Sequence, residues 1–189
     1  MNHKLISLIL LSSICSLCTA SDIRDKVKVS NSDQSMYSVI NPDEHIFGMK
    51  YGAAEDEFIS KHGKPDGYIQ LDEDSSAMIY GKRIAFIFQS NKLQGVRISS
   101  HSILDWNLSK LMTGNSYFDN IKWKLNNGIR EDTHRGKVRE ILGETLVNDN
   151  YSWYYATKLA KVTLRFSHYT GEGDTEEAYK VHSVTVRKK

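Results

Sequence analysis

Histidines are the first residues in this sequence to consider for chemistry. Six of them follow residue 20, at positions 45, 62, 101, 134, 168 and 182. No two are spaced i,i+4, so the sequence predicts no helical metal-binding pair. His168 and His182 fall on neighbouring predicted strands, and we interpret both as partly exposed strand residues. His62 is interpreted as a residue of a helix C-terminus.

Catalytic and metal-binding motifs are missing from the sequence. It contains no Gly-x-Ser-x-Gly, Ser-x-x-Lys, Gly-x-x-x-x-Gly-Lys or His-Glu-x-x-His. The acidic clusters at 72–74 and 172–177 do not fit the Asp-x-Asp-x-Asp-Gly pattern of an EF-hand, so we interpret them as solvated loop tips. We therefore expect no enzymatic activity, no metal and no cofactor.

Aromatic residues are the more informative candidates. In Ser152-Trp-Tyr-Tyr155, strand alternation places Trp153 and Tyr155 on one face of a sheet and Tyr154 on the other. Exposed Tyr and Trp side chains dominate binding hot spots in protein interfaces, so either set is a candidate surface if it lies on an open face. The predicted binding residues are Trp153, Tyr155, Tyr80, Tyr68 and Trp106.

An internal repeat organises the elements that position these residues. The segment Gly48–Gly63 recurs eighty residues later as Gly128–Gly143, with the same spacing between its two glycines. Phe58 and Val138 stand at equivalent places, five residues before the final glycine. Each segment predicts a turn and a helix of two to three turns that ends at glycine.

Short strands follow each predicted helix. In the second copy, Val162, Leu164 and Phe166 alternate with Thr163 and Arg165, as in a half-buried strand. In the first copy, the predicted strands cover 77–80, 83–88 and 93–98, and in the second 152–155, 161–166 and 181–186. Short turns between such strands favour an antiparallel meander. The predicted fold class is α+β, with two tandem helix–turn–helix plus meander repeats.

Helix-start signals complete the predicted organisation. Asn41-Pro42 places a proline at the first position of a helix, and Ser102 and Ser116 each begin a capping-box-like sequence. The predicted divisions are a signal peptide (1–20), a polar leader (21–35), a first repeat (36–100), a helical linker (101–115) and a second repeat (116–189).

The repeat resembles a known superfamily. The sequence Gly52-Ala-Ala-Glu-Asp-Glu-Phe-Ile-Ser-Lys-His-Gly-Lys-Pro65 is similar to the "GMT…V…LG-P" signature of the BamE (SmpA/OmlA) and β-lactamase-inhibitor-protein (BLIP)-like superfamily. Trp153-Tyr-Tyr155 and the strand ending at Phe166 are similar to its second motif. The resemblance covers residues 40–99 and 115–187. It implies helix–turn–helix units on antiparallel sheets, in a tandem form similar in layout to the inhibitor.

The N-terminal segment predicts export. A short basic start through Lys4, an apolar run from Leu5 to Leu17 and small residues up to Ala20 are typical of a secretory signal peptide, with cleavage expected before Ser21. The apolar run is shorter than the ~20 residues of a membrane-spanning helix. Cys15 and Cys18 each follow a bulky aliphatic residue, which disfavours lipidation. We expect a bacterial periplasmic or secreted protein.

Composition narrows the class of partner. The 189 residues carry 25 Lys and Arg against 23 Asp and Glu, a formal net charge of +2 without the basic excess of most nucleic-acid binders. We therefore expect an exported, non-catalytic protein-binding module, either an inhibitor or immunity protein or an envelope-assembly protein. Its partner is another protein; the chain is not membrane-spanning, and peripheral attachment to the envelope stays open. Two alternatives remain: a small-molecule or lipid carrier, and a hydrolase using His and carboxylate groups.

Overall fold

The computed structural model describes residues 39–104, 116–143, 147–148, 151–169, 173 and 175–189. Within them, twelve strands form two sheets, accompanied by three short α-helices and one 3-10 turn at Glu176–Ala178. The strands are β1 (Val39–Asn41), β2 (His45–Ile46), β3 (Met49–Lys50), β4 (Gly67–Gln70), β5 (Ser75–Tyr80), β6 (Ile84–Gln89), β7 (Lys92–Ser99), β8 (Lys124–Leu125), β9 (Val147–Asn148), β10 (Ser152–Ala156), β11 (Ala160–His168) and β12 (Tyr179–Lys188). The helices are α1 (Glu55–His62), α2 (Ser116–Asp119) and α3 (Arg135–Leu142).

One large antiparallel sheet joins both halves of the chain. Its eight strands run in the order β4-β5-β6-β7-β12-β11-β10-β9, so the last strand of each predicted repeat pairs with the other at the centre. A second, small sheet has the strand order β3-β2-β1-β8 and shares no strand with the large sheet. Its strands β1 and β8 pair in parallel. Two strand pairs join the halves across the predicted linker, β7 with β12 in the large sheet and β1 with β8 in the small one.

The predicted helix–turn–helix repeat fold is wrong. The described chain is mostly β, with three α-helices of four to eight residues. At Asn41-Pro42, where a helix start was predicted, the chain makes a turn from β1 to β2. The Asn41 side-chain oxygen accepts the backbone N–H of Asp43 at 3.1 Å, which stabilises this turn. The flanking Ile40 and Ile46 are fully buried as paired strand residues, so the apolar residues there find their burial in a sheet.

The two turn-and-helix segments nevertheless share their backbone connections. Gly52 donates its N–H to Leu93, and Asp132 donates its N–H to Val181, each at 2.9 Å. Both residues have positive φ, 85° at Gly52 and 64° at Asp132. Both helices end at a glycine with positive φ, Gly63 and Gly143, as predicted.

The hydrophobic core lies on one face of the large sheet. Phe58 of α1 and Val138 of α3 are fully buried in a single cluster that also contains residues of both sheets. The Phe58 ring lies 4.4 Å from the Phe86 ring, centre to centre. No helix in the described stretches is long and apolar enough to cross a membrane. The predicted signal peptide, the predicted leader and most of the predicted linker lie within residues 1–38 and 105–115, outside the described residues.

Candidate functional site

The pairing registers divide the large sheet into rows that alternate between its two faces. Rows on the core face are apolar and buried, because the helices and the small sheet pack against them. One such row crosses five strands in register: Ile84, Ile98, Val184, Leu164 and Trp153.

Rows on the opposite face are polar wherever strands β7, β12, β11 and β10 form them. Three consecutive rows lie side by side on this face. The first is Ser99, Ser183, Arg165 and Ser152; the middle one is Ala85, Arg97, Thr185, Thr163 and Tyr154; the third is Ile87, Gly95, Arg187, Lys161 and Ala156. We call the part of this surface carried by β7, β12, β11 and β10 the open face. Toward β5 and β6, the same side of the sheet becomes apolar and is covered by Ile103 and Leu104.

Four exposed cations define the charge of the open face: Arg97, Lys161, Arg165 and Arg187. The fourteen positions of the three rows include no Asp or Glu. Among the described residues, none of the four cations takes part in an ion pair. With strands ~4.8 Å apart and alternate residues ~6.7 Å apart, the four lie within a patch of roughly 10 by 13 Å.

Two of these cations face each other directly. Arg187 on β12 is in register with Lys161 on β11. Like charges directly opposite one another on one face of a sheet are destabilising. The Lys161 ammonium lies 4.2 Å from the centre of the Tyr154 ring, which offers it a weak cation–π contact but no opposite charge. A local arrangement that works against stability is typical of a functional surface.

The positive field of the open face reaches His182 on β12. Burial lowers the pKa of His182, and the charges of His101, Arg165 and Arg97 lower it further. The rings of His101 and His182 lie 6.3 Å apart, centre to centre. Arg97 and Arg165 therefore both disfavour a positive charge on His182.

Trp153 and Tyr155, the leading predicted binding residues, face the core. Trp153 is 2% exposed and meets the Phe166 ring edge-on at 4.9 Å. Tyr155 is half-buried against the same cluster, and its hydroxyl accepts a hydrogen bond from the Asn127 side-chain amide at 3.3 Å. Burial raises the pKa of Tyr155 to about 12. The alternation was predicted correctly, but the Trp153 side of the strand is the covered one.

The other predicted binding residues are scattered. Tyr80 is fully buried, and its hydroxyl donates to the backbone oxygen of Gly63 at 2.6 Å, so it secures the end of α1. Burial raises the pKa of Tyr80. Tyr68 is 52% exposed on the edge strand β4, and Trp106 lies outside the described residues. Among the described residues of this set, Tyr68 lies on an exposed edge while Tyr80, Trp153 and Tyr155 belong to or pack against the core.

A polar cleft adjoins Tyr68. It encloses about 320 Å³, and its lining residues are Tyr68, Gln70, Glu73, Asp74, Ser76, Ser90 and Asn91. A lipid carrier needs an apolar pocket, which this cleft is not.

His168 and His182 do not form the catalytic cluster of the hydrolase alternative. His168 shares a hydrogen bond of 2.9 Å with the backbone oxygen of Gly173 and stacks edge-on against Tyr179. The charged neighbours of His182 are cations, as described above. Across the described ranges, no three His, Cys, Asp or Glu side chains are grouped so that they could hold a metal ion.

The four cations of the open face were missed by the sequence analysis, although a signal was present. In Lys161-Val-Thr-Leu-Arg-Phe166, every residue between the apolar ones is Lys, Thr or Arg, and the same holds for Arg97 between Val96 and Ile98. Polar strand positions that are never acidic predict a basic face. The strand order that brings these residues together is not visible locally, because β7 and β12 are separated by the whole second repeat.

Comparisons with known proteins add little to this geometry. No family model matches the chain, and no curated protein matches it. Among solved structures, a cysteine-rich secretory protein from Staphylococcus aureus subsp. aureus Mu50 aligns with 73% of this chain and 44% of its own chain, at 10% identity and a TM-score of 0.37. A similarity this low carries no argument about fold or function. The resemblance to the BamE and BLIP-like superfamily stays a prediction.

Proposed function

We propose that this chain is an exported, non-catalytic protein-binding module and that it binds its partner through the open face. The observation that carries the proposal is that four cations, Arg97, Lys161, Arg165 and Arg187, are exposed on the side of β7, β12, β11 and β10 opposite the core. The opposite side of the same strands holds the hydrophobic core, so a partner that approaches the open face does not disturb the fold.

The chemistry of the open face supports a binding role. Arginine and tyrosine are enriched in the hot spots of protein interfaces, and Arg97, Arg165, Arg187 and Tyr154 supply both types. Each stands on a strand that is paired on both sides, so the side chains are presented by a rigid support. Export is supported by the apolar run and the small residues of segment 1–20, as predicted above.

A blocking substitution tests the proposal. Thr185 lies in the middle row between Arg97 and Thr163, so Thr185→Trp places a bulky ring at the centre of the open face. Lys122→Trp adds the same ring at an exposed position outside the large sheet and serves as the control. The exported protein is immobilised and exposed to envelope extract of its own organism, with free protein as competitor.

The expected result is saturable capture of a defined partner by the wild-type protein and by Lys122→Trp, and loss of that capture by Thr185→Trp. Absence of any saturable partner, or equal capture by both variants, would contradict the proposal. Circular dichroism on all three proteins excludes loss of folding as the cause.

A further inference from the structure

We infer that the partner of the open face is a protein surface rich in Asp and Glu side chains; this inference rests on the proposed function. The chemistry of the partner follows from charge complementarity with the cations of the open face. The open face offers Arg97, Lys161, Arg165 and Arg187, and its three rows contain no Asp or Glu.

The geometry favours carboxylates as the groups that these cations meet. The arginine guanidinium presents a planar set of donors that matches a carboxylate with two parallel hydrogen bonds. Three of the four cations are arginines, and between them stand small hydroxyl residues, Thr163 and Thr185, which are half-buried. The short neighbours leave each guanidinium accessible from above the sheet.

The repulsion between Arg187 and Lys161 adds a second, independent argument. The two residues are in register on paired strands, and no described acidic side chain forms an ion pair with either. An acidic surface placed over them converts this repulsion into attraction at both cations, so the arrangement gains most from an anionic occupant.

The Asp72 carboxylate interacts electrostatically with one of these cations, Arg187. Asp72 is an exposed residue of the loop between β4 and β5. Its pKa is lowered chiefly by a hydrogen bond from the Ser75 side chain, and the charge of Arg187 lowers it a little further. Arg187 therefore favours the charged form of a nearby carboxylate.

A single-stranded nucleic acid is the competing anion, and the open face suits it less well. Proteins that bind single strands supply several aromatic rings on which successive bases stack. The three rows contain one aromatic residue, Tyr154, and the Lys161 ammonium already lies over its ring. The whole chain carries a formal charge of +2, so it lacks a wider basic surface to follow a phosphate backbone.

The experiment measures binding of a poly-L-glutamate peptide by isothermal titration calorimetry at low and high salt. The test protein carries Arg97→Gln, Arg165→Gln and Arg187→Gln together. The control carries Lys64→Gln, Lys122→Gln and Lys124→Gln, which remove the same charge at exposed positions off the open face. A single-stranded oligonucleotide of equal charge is titrated in parallel.

The expected result is that wild-type and control proteins bind poly-L-glutamate equally and that high salt weakens the binding. The open-face triple variant is expected to bind about tenfold or more weakly, and the oligonucleotide is expected to bind more weakly than the peptide. Equal weakening in both triple variants, or tighter binding of the oligonucleotide, would overturn the inference.

The two proposals fail in different ways. If the three arginine substitutions leave poly-L-glutamate binding unchanged while Thr185→Trp still abolishes partner capture, the acidic partner is wrong and the binding role of the open face stands. If Thr185→Trp leaves capture unchanged, the proposed function itself is wrong. Urea unfolding of every variant shows whether the fold is retained.

Discussion

Arg83 and Glu131, 48 residues apart in the chain, form a bidentate ion pair with hydrogen bonds of 2.7 and 2.9 Å. The same guanidinium donates to the backbone oxygens of Ser99 and Asp119. Both side chains are about one-fifth exposed, 19% for Arg83 and 22% for Glu131. This one group therefore joins the end of β6 to α2 and to the segment that leads into α3, across the boundary between the two predicted repeats.

Removal of either partner is expected to destabilise the protein by about 1–3 kcal/mol, because the remaining group is left partly buried without its counter-charge. The test is a double-mutant cycle with Arg83→Gln and Glu131→Gln, measured by urea unfolding. We expect a coupling free energy of about 1 kcal/mol or more. Strict additivity of the two substitutions would show that the pair does not couple the halves.

Gly95 allows the two halves of the large sheet to approach each other closely. It stands opposite Arg187 where β7 meets β12, and a Cβ there would overlap the backbone oxygen of Val186. Gly95→Ala is expected to cost about 1–3 kcal/mol, since the strands must separate to admit the methyl group. Gly136→Ala is the matched control, because a Cβ at Gly136 in α3 meets Glu176 at an ordinary 3.5 Å.

For Gly136→Ala we expect a gain of about 0.5–1 kcal/mol from helix propensity. Thermal unfolding of both variants gives the comparison. A Gly95→Ala protein as stable as the wild type would contradict the close approach of β7 and β12.

Acid is expected to weaken the fold through His62. Burial, together with the smaller effect of the nearby Lys61 charge, lowers the pKa of His62 to about 4. Between pH 6.5 and 4 the unfolded chain binds a proton at this residue that the folded chain does not. Stability therefore falls as the pH is lowered through this window, by up to about 3 kcal/mol, and the contribution is absent above pH 6.5.

The check is the free energy of unfolding of wild type and His62→Gln across this pH range. The variant is expected to lose less stability on acidification, whereas His168→Gln, which alters an exposed strand histidine, is expected to follow the wild type. Parallel curves for wild type and His62→Gln would exclude His62 as the acid-sensitive group.

Trp153 is expected to serve stability and not recognition. Its ring is buried against Phe166, and the Arg139 guanidinium lies 5.3 Å from the ring centre. Trp153→Ala is expected to cost about 3–5 kcal/mol. Trp153→Phe fills most of the space, so it is expected to retain poly-L-glutamate binding at wild-type affinity. A folded Trp153→Phe protein with impaired poly-L-glutamate binding would show instead that Trp153 contributes to the binding surface.

Local pattern was sufficient for α1 and α3 and for six of the twelve described strands, namely β5, β6, β7, β10, β11 and β12. Gly63 and Gly143 mark the ends of α1 and α3, and the alternation of Val162, Leu164 and Phe166 marks β11, because each signal depends on neighbours in the chain. The sequence around Asn41 was wrongly predicted to begin a helix. The same Asn-Pro-Asp sequence suits a helix start and a turn between strands, and the burial of Ile40 and Ile46 decides between them.

The open face could not be predicted from any short segment, because it depends on pairing between strands that are far apart in the chain. Alternation placed Trp153 and Tyr155 together, but which side is covered depends on where α1, α3 and the small sheet pack. Arg97 and Arg187 come together because β7 pairs with β12, a contact between the last strands of the two halves. For these reasons the sequence predicted which residues share a sheet face but not which face the core covers.

The most direct test of the binding role of the open face is a ¹⁵N NMR titration of the wild-type protein with poly-L-glutamate. We predict that the shifted amides cluster on β7, β12 and β11, around Arg97, Thr185 and Arg165, and that these shifts vanish in the triple arginine variant. Shifts centred instead on α1, α3 or the edge strand β4, with the arginine variant unaffected, would contradict the account.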